Sequence, residues 1–420
     1  MTTLRGLGHE AVMAPMYLPF QIDDKEAASD DLLFFGGINV YLQQKIALFR
    51  HTPHWLDALF DSRALLRLTA RKAGMTKASE LGEMTLSMLK GEQGNQRKEL
   101  ERLLDWIRTQ EPFDVVALSN CLLLSLAEAI QEEFNLPVVC TLQGEDGFLD
   151  SLPDPYREEA WERLCGLVEY VQRFVAVSYY YGDVMQKRMR IPQEKMRVVQ
   201  NGISLQGYES IASRSPGRVI GYLARLCDMK GLPRLIEAFI QLKRHPGYAD
   251  VTLKIAGTMT PSDETLVNRM KEQLIDAGLA KDVEFLPNLN REEKIRFLQS
   301  LSVFSVPATY GESFGLYVLE ALAAGVPVVQ PCHAGFIEIV EQTGGGVMFQ
   351  HDSLEDYVSC LRRLLDDTTH AHDLGQQGRA EVFRHFHVER MARDIVQVYE
   401  SVTEAGASIQ SSEGVNGIGI

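Results

Sequence analysis

GESFGLYVLEALAAGVPVV occupies residues 311–329. Nearly every position is apolar or small, yet Glu312 stands at its mouth and Glu320 in its middle. The apolar run VFSVPA before it reads as a strand ending near Ala308. A short loop, TYGES, then leads into a helix expected from about Phe314 to Ala324. Gly325 stops that helix, and VPVVQP forms the next strand. Glu320 then sits roughly 9 Å along the helix, with Leu319 and Ala321 beside it. A carboxylate buried there without a partner costs on the order of several kcal/mol. It must reach solvent, lose its charge or face a polar ligand. The helix is apolar on nearly every side, so a ligand is the expected partner and an exposed acidic face is the alternative. The amides of Phe314, Gly315 and Leu316 at the helix start favour an anion, and Gly315 lets it approach the backbone.

The same alternation of short apolar runs and amphipathic segments extends through most of the chain. EAVMAP, DVVALS, PVVCTL, FVAVS and MRVVQ are the strand candidates of the first half. RVIGYLA, VTLKIAG, VEFLP, VFSVP and PVVQP are those of the second. Helical patterns such as LLLSLAEAIQEEF, LPRLIEAFIQLKR and EEKIRFLQSL separate them. Strand–helix alternation predicts α/β architecture with parallel sheets and right-handed crossovers. With 420 residues, two doubly wound Rossmann-like domains are expected. The first covers 1–205, with a helical insertion at about 36–110. The polar stretch QGYESIASRSPGR, 206–218, reads as a linker. A second domain covers 219–387, followed by a terminal helix over 388–408 that packs back on the first domain and a disordered tail, 409–420.

Composition narrows the function. The formal net charge is −15, from 42 Lys+Arg against 57 Asp+Glu, which gives no long-range attraction to nucleic acid. No apolar run is long enough for an integral membrane segment, and the N-terminus MTTLRGLGHEAV has no apolar signal region. The six cysteines form no CxxC pair or zinc-spaced cluster and read as thiols of a reducing cytoplasm. A peripheral association with membrane is compatible with this composition. There is no D-x-D pair to tether a metal, no Walker A sequence and no HExxH. No resident metal or cofactor is expected.

Three further segments fall just after strand candidates, where ligands of α/β sheets gather. In GYLARLCDMKGL, 221–232, Arg225 and Lys230 lie in one loop and together suit a diphosphate. Alone, two such residues are usually solvated. In MRVVQNGI, 196–203, Asn201-Gly202 marks a turn with positive φ or, alternatively, a ligand contact. In PVVCTLQGEDGF, 137–148, the strand delivers Gln143, Gly144, Glu145 and Asp146, which suit a hydroxylated acceptor or a helix cap.

From about residue 110 to 400 the chain resembles the retaining glycosyltransferases of family 4, which have the GT-B fold. The resemblance rests on E-x7-E, met by Glu312 and Glu320, followed by ALAAGVPVV. Arg225 with Lys230-Gly231, the AVS of Ala176 to Ser178, and Asn201-Gly202-Ile203 follow the same order. It implies two domains facing across a cleft and metal-independent transfer of a sugar from a nucleotide-diphospho-sugar, UDP- or GDP-linked, to an acceptor hydroxyl with retention. Glu312 would contact the donor sugar, Glu320 the ribose, and Arg225 and Lys230 the diphosphate. Ser313, Phe314, Gly315 and Leu316 would line the donor site. Gln143, Gly144, Glu145 and Asn201 would face an acceptor of unknown sugar, lipid or small-molecule class. Gln143 replaces a His found in many members and cannot titrate. Alternatives are a degenerate transferase acting as a binding scaffold and a sugar-nucleotide epimerase. The family opens with a strand and a glycine-rich loop. TLRGLGHEAVMAP resembles the end of the helix that follows them, so the first domain is expected to lack its opening strand and Met1 to be a late or misassigned start. A native N-terminal peptide beginning at Met1, read by mass spectrometry, would count against that expectation.

Overall fold

The computed structural model describes residues 1–14, 16, 35, 43–44, 78–210 and 217–413. Much of the expected insertion, the middle of the expected linker and residues 414–420 therefore lie outside the described residues. The chain divides into two compact units. Unit 1 holds residues 1–177, 182–199 and 392–420; unit 2 holds 178–181 and 200–391.

Among the described residues, unit 1 carries a four-stranded parallel sheet of β1 (Val116–Leu118), β2 (Val138–Leu142), β3 (Arg173–Ala176) and β4 (Met196–Val198), in that order. Each step is filled by a helix, so the described sheet winds one way. Of the expected strand EAVMAP, the described residues 10–14 have no regular structure. The helices Ala78–Leu89 and Arg97–Arg108 belong to the expected insertion. Arg97–Arg108 buries Leu100, Leu103, Leu104 and Ile107 on one face, the 3–4 spacing of an amphipathic helix. The loops after β1 and β2 are tied by Glu145. Its carboxylate accepts the amides of Cys121 at 3.2 Å and of Gln143 and Gly144 at 2.8 Å each. Burial, with Glu145 adding to it, pushes the Cys121 and Cys140 thiols well up, so neither behaves as a nucleophile.

Unit 2 carries six parallel strands in the order β10-β9-β8-β5-β6-β7. They are β5 (Val219–Leu223), β6 (Thr252–Gly257), β7 (Val283–Pro287), β8 (Val303–Phe304), β9 (Val328–Pro331) and β10 (Gly346–Phe349). Every residue of β5 and β9 is buried, as strands covered on both faces require. From β5 the chain steps outward through β6 and β7. It then returns to the other side of β5 with β8 and steps away through β9 and β10. The winding reverses between β5 and β8, and the carboxyl ends at such a reversal are where doubly wound sheets bind ligands.

Two expected boundaries shift here. β8 stops at Phe304, four residues before Ala308, and the helix runs Leu316–Ala323, two residues after Phe314. The loop between them, 305–315, is therefore longer than TYGES. The final helix runs Val388–Glu413, five residues into the stretch expected as a tail. Asn201-Gly202 is not a positive-φ turn. Instead Ile203 pairs with His387, and a Cβ on Gly202 would lie 2.6 Å from the His387 carbonyl oxygen.

Gly231 joins the two loops at the reversal. Its φ of 74° opens the helix Leu232–Lys243, and an added Cβ would sit 1.9 Å from the Pro307 carbonyl oxygen. Nothing but glycine fits without parting the loops. Gly231→Ala should destabilise the protein by on the order of 2 kcal/mol or more. An unchanged midpoint in urea unfolding would show that the loops are not locked together.

Candidate functional site

The site is built at the carboxyl ends of the unit 2 strands, chiefly from the loops after β5 and β8. At the end of β5 the chain runs Ala224–Gly231 and delivers Arg225 and Lys230. At the end of β8 it runs 305–315 and delivers Tyr310 and Glu312. Glu312 is 7% exposed. Lys230 Nζ donates to Glu312 Oε2 and to the Tyr310 hydroxyl, each at 2.5 Å. Tyr317, one residue inside the following helix, donates its hydroxyl to the same Glu312 oxygen at 2.6 Å. The ammonium also lies 4.9 Å from the Tyr310 ring centre and 5.4 Å from that of Tyr317, within cation–π range. Burial first and Glu312 second push the Tyr317 phenol well up, so it stays a donor.

The opening residues of the helix behave in distinct ways. Gly315 caps it with φ 105° and ψ 60°, a conformation that a side chain resists. The Phe314 side chain is buried against Phe386, ring centres 6.3 Å apart. The Ser313 carbonyl accepts the Ser178 hydroxyl at 2.6 Å. Leu316, the first helical residue, is 44% exposed. Gly315 before it is buried.

Glu320 has a protein partner, which corrects the expectation that only a ligand would face it. Lys294, from the helix Arg291–Gln299, reaches Glu320 Oε1 at 2.5 Å. With the helix beginning at Leu316, Glu320 lies about 6 Å along it rather than 9 Å. Its side chain is 18% exposed. Tyr208 is buried near by, its hydroxyl without a hydrogen-bond partner. Burial, with Glu320 adding, raises that phenol.

Arg225 is placed with a different carboxylate from Lys230. Its Nη2 and Nε meet Asp263 Oδ1 and Oδ2 at 3.1 and 3.3 Å, a two-pronged pair. Its side chain is 52% exposed. Asp263, three residues on from Thr260, also closes a capping box with it, and the Thr260 hydroxyl donates to it at 2.7 Å. Burial works to raise the Asp263 carboxyl, but the hydrogen bonds from Arg225 and Thr260 outweigh it and hold it below the ordinary carboxylate range.

The structure thus brings Lys230 to Glu312 and gives Arg225 and Glu320 separate partners. The residues that sequence reasoning missed are Tyr310, Tyr317, Asp263 and Lys294. Thr260 to Asp263 carries a readable capping-box spacing. Lys294 carries no local signal.

The remaining candidates lie elsewhere. Gln143 donates its side-chain amide to the Ser119 carbonyl at 2.9 Å and is exposed after β2 in unit 1. Gly144, with φ 129°, and Glu145 form the amide-binding turn described above. The Asn201 carbonyl in unit 2 accepts from Arg390 at 3.4 Å. Among the described residues no group of three or more His, Cys, Asp or Glu could hold a metal ion. Among them, too, no helix is long and apolar enough to cross a membrane.

Asp263 supplies a pH test. Its folded carboxyl titrates lower than in the unfolded chain, so its stabilisation is present above the unfolded value. It is lost as pH falls through the folded value. The stability gap between wild type and Asp263→Asn should be widest near neutrality and close in acid. A gap that does not change with pH would remove the Arg225–Asp263 coupling.

Comparison with known proteins identifies the family and the fold. The family profile described as Glycosyltransferase Family 4 matches residues 86–206, and that described as Glycosyl transferases group 1 matches 209–381. An uncharacterized glycosyltransferase of Methanocaldococcus jannaschii is 26% identical over 51% of this chain and 56% of its own length. The chain thus spans little more than half of that relative. A glycogen synthase of Mycobacterium tuberculosis is 26% identical over 68% of each chain. Anabaena HepE, solved in complex with UDP and glucose, superimposes with a TM-score of 0.61 at 19% identity, covering 72% of this chain and 81% of that one. Two matching profiles in consecutive order, on a chain with two parallel sheets, place this protein in family 4 of the glycosyltransferases, the group 1 glycosyl transferases of GT-B fold.

Proposed function

We infer that the protein moves a sugar from a nucleotide-diphospho-sugar to an acceptor hydroxyl with retention of configuration. The observation that carries this reading is the Lys230–Glu312 pair at the point where the unit 2 sheet reverses its winding. A diphosphate there meets a lysine, the guanidinium of Arg225 and the start of the helix Leu316–Ala323. These groups supply charge where the leaving diphosphate develops it. Glu312, released from Lys230, offers its carboxylate to sugar hydroxyls. Glu320 accepts from the ribose hydroxyls in exchange for Lys294.

The anomeric carbon loses its bond to the phosphate oxygen and gains one to the acceptor oxygen on the same face. The acceptor's proton passes to the departing phosphate. Lys230 and Arg225 stabilise the diphosphate and take no proton. Gln143, exposed at the end of β2, is the proposed acceptor contact, as a hydrogen-bond donor and acceptor without a titrating role. Glu145 acts there by shaping the turn.

The similarity to a structure holding UDP favours a uridine donor over guanosine as the first choice. Thermal unfolding with UDP, GDP and ADP tests the site. A nucleotide present at a hundredfold excess over its Kd stabilises by about 2.7 kcal/mol. One nucleotide should raise the wild-type midpoint, and Lys230→Ala should lose that rise. Glu320→Gln should weaken the same nucleotide more than it lowers stability. Failure of all three nucleotides to move the wild type would overturn the donor site. Slow hydrolysis of the matching nucleotide sugar separates an enzyme from a binding scaffold, which would hold the nucleotide and turn nothing over.

A further inference from the structure

We propose that Tyr317 is a positioning residue that holds the Glu312 carboxylate in place while Lys230 turns from it toward an anion. The proposal rests on the donor-site reading above, in which Lys230 meets a diphosphate.

Glu312 Oε2 receives two donors, the Lys230 ammonium at 2.5 Å and the Tyr317 hydroxyl at 2.6 Å. The carboxylate is buried, so an ammonium leaving it without replacement would strand a charge in a dry place. Tyr317 prevents that. Its hydroxyl remains on the carboxylate when the lysine goes, and by sharing the same oxygen it loosens the lysine beforehand. The ring is fixed for this task. Its centre lies 6.2 Å from the Phe304 ring on one side and 6.2 Å from the Phe336 ring on another. The phenol also begins one residue into the helix whose start faces the site, so the helix sets its direction. Tyr310 complements it from the lysine's side by accepting from Nζ at 2.5 Å. The lysine is thus held between a carboxylate that is already satisfied in part and a neutral hydroxyl, which leaves it ready to change partner.

Tyr317→Phe removes one oxygen and keeps the packed ring. Two measurements on the full chain judge it, each at unchanged melting temperature. The first is the rate at which limiting acetic anhydride acetylates Lys230, read by peptide mass spectrometry. With the phenol gone, the carboxylate keeps the lysine, and the rate should fall roughly tenfold, the size of one hydrogen bond to a charged group. An unchanged or faster rate overturns the proposal. Glu312→Gln should speed the same reaction, and an equal rate there shows that the carboxylate does not hold the lysine and also overturns it. The second measurement is calorimetric titration with inorganic pyrophosphate of wild type, Tyr317→Phe and Lys230→Ala. Weaker binding in both variants is expected. If Lys230→Ala binds pyrophosphate as wild type does, the diphosphate reading of the site fails, while the acetylation rates still decide the role of Tyr317. Should Tyr317→Phe melt lower, Tyr317→Leu provides the comparison: a rate that follows packing loss rather than hydroxyl loss, with both variants slowed in proportion to their melting temperatures, overturns the positioning role.

Discussion

The salt bridge between Lys230 and Glu312 is the interaction on which the site depends. Its two members lie 82 residues apart and belong to the loops that leave β5 and β8. They meet because those strands are neighbours at the reversal of the sheet and because Gly231 allows the two loops to touch. A side chain at position 231 would displace Pro307, and with it the start of the loop that carries Tyr310 and Glu312. Backbone conformation at one glycine therefore governs where the charged groups stand.

The sheets were legible in the sequence for a physical reason. Strands covered on both faces read as apolar runs: β5 is one throughout, and β9 is one but for Gln330. The same property blurred the end of β8. VFSVPA stays apolar beyond Phe304, but Ser305 turns its hydroxyl to the Val329 carbonyl at 2.6 Å, and the chain has left the ladder by Pro307. Phe314 looked like the first helical residue because it is apolar; it is apolar because it packs on Phe386. Asn201-Gly202 looked like a turn because that pair usually is one. The glycine instead makes room for the His387 carbonyl, a partner that no local pattern announces.

The two glutamates were legible as residues that need partners, and the partners were not. Lys294 is 26 residues from Glu320, and Asp263 is 38 residues from Arg225. Each pair is made by crossovers that bring helices to the carboxyl ends of neighbouring strands. Spacing in sequence carries nothing about such contacts until the strand order is known. Tyr317 lay in plain view within the stretch that defined the motif, but a tyrosine among apolar residues reads as core. Its ring does serve the core, and only its hydroxyl reaches the site.

These pairings give the chemistry of the site a definite form. The chain carries a net charge of −15, so long-range attraction cannot gather an anionic donor. Charges more than about 8 Å away are screened at physiological salt, and capture falls to the few cations at the loop ends. Those cations are already neutralised: Lys230 by Glu312, Lys294 by Glu320, Arg225 by Asp263. A bare phosphate or pyrophosphate must displace a carboxylate at each lysine, and so binds more weakly than a ligand that also satisfies the carboxylates. A ligand that offers phosphates to the cations and hydroxyls to the freed carboxylates replaces both halves of each pair at once. A nucleotide-diphospho-sugar carries that combination, with sugar hydroxyls on one side of the diphosphate and ribose hydroxyls on the other. On the proposed donor reading the glutamates would select the whole donor over its anionic fragments, since carboxylates freed of their lysines are satisfied only when hydroxyl groups arrive together with the phosphates.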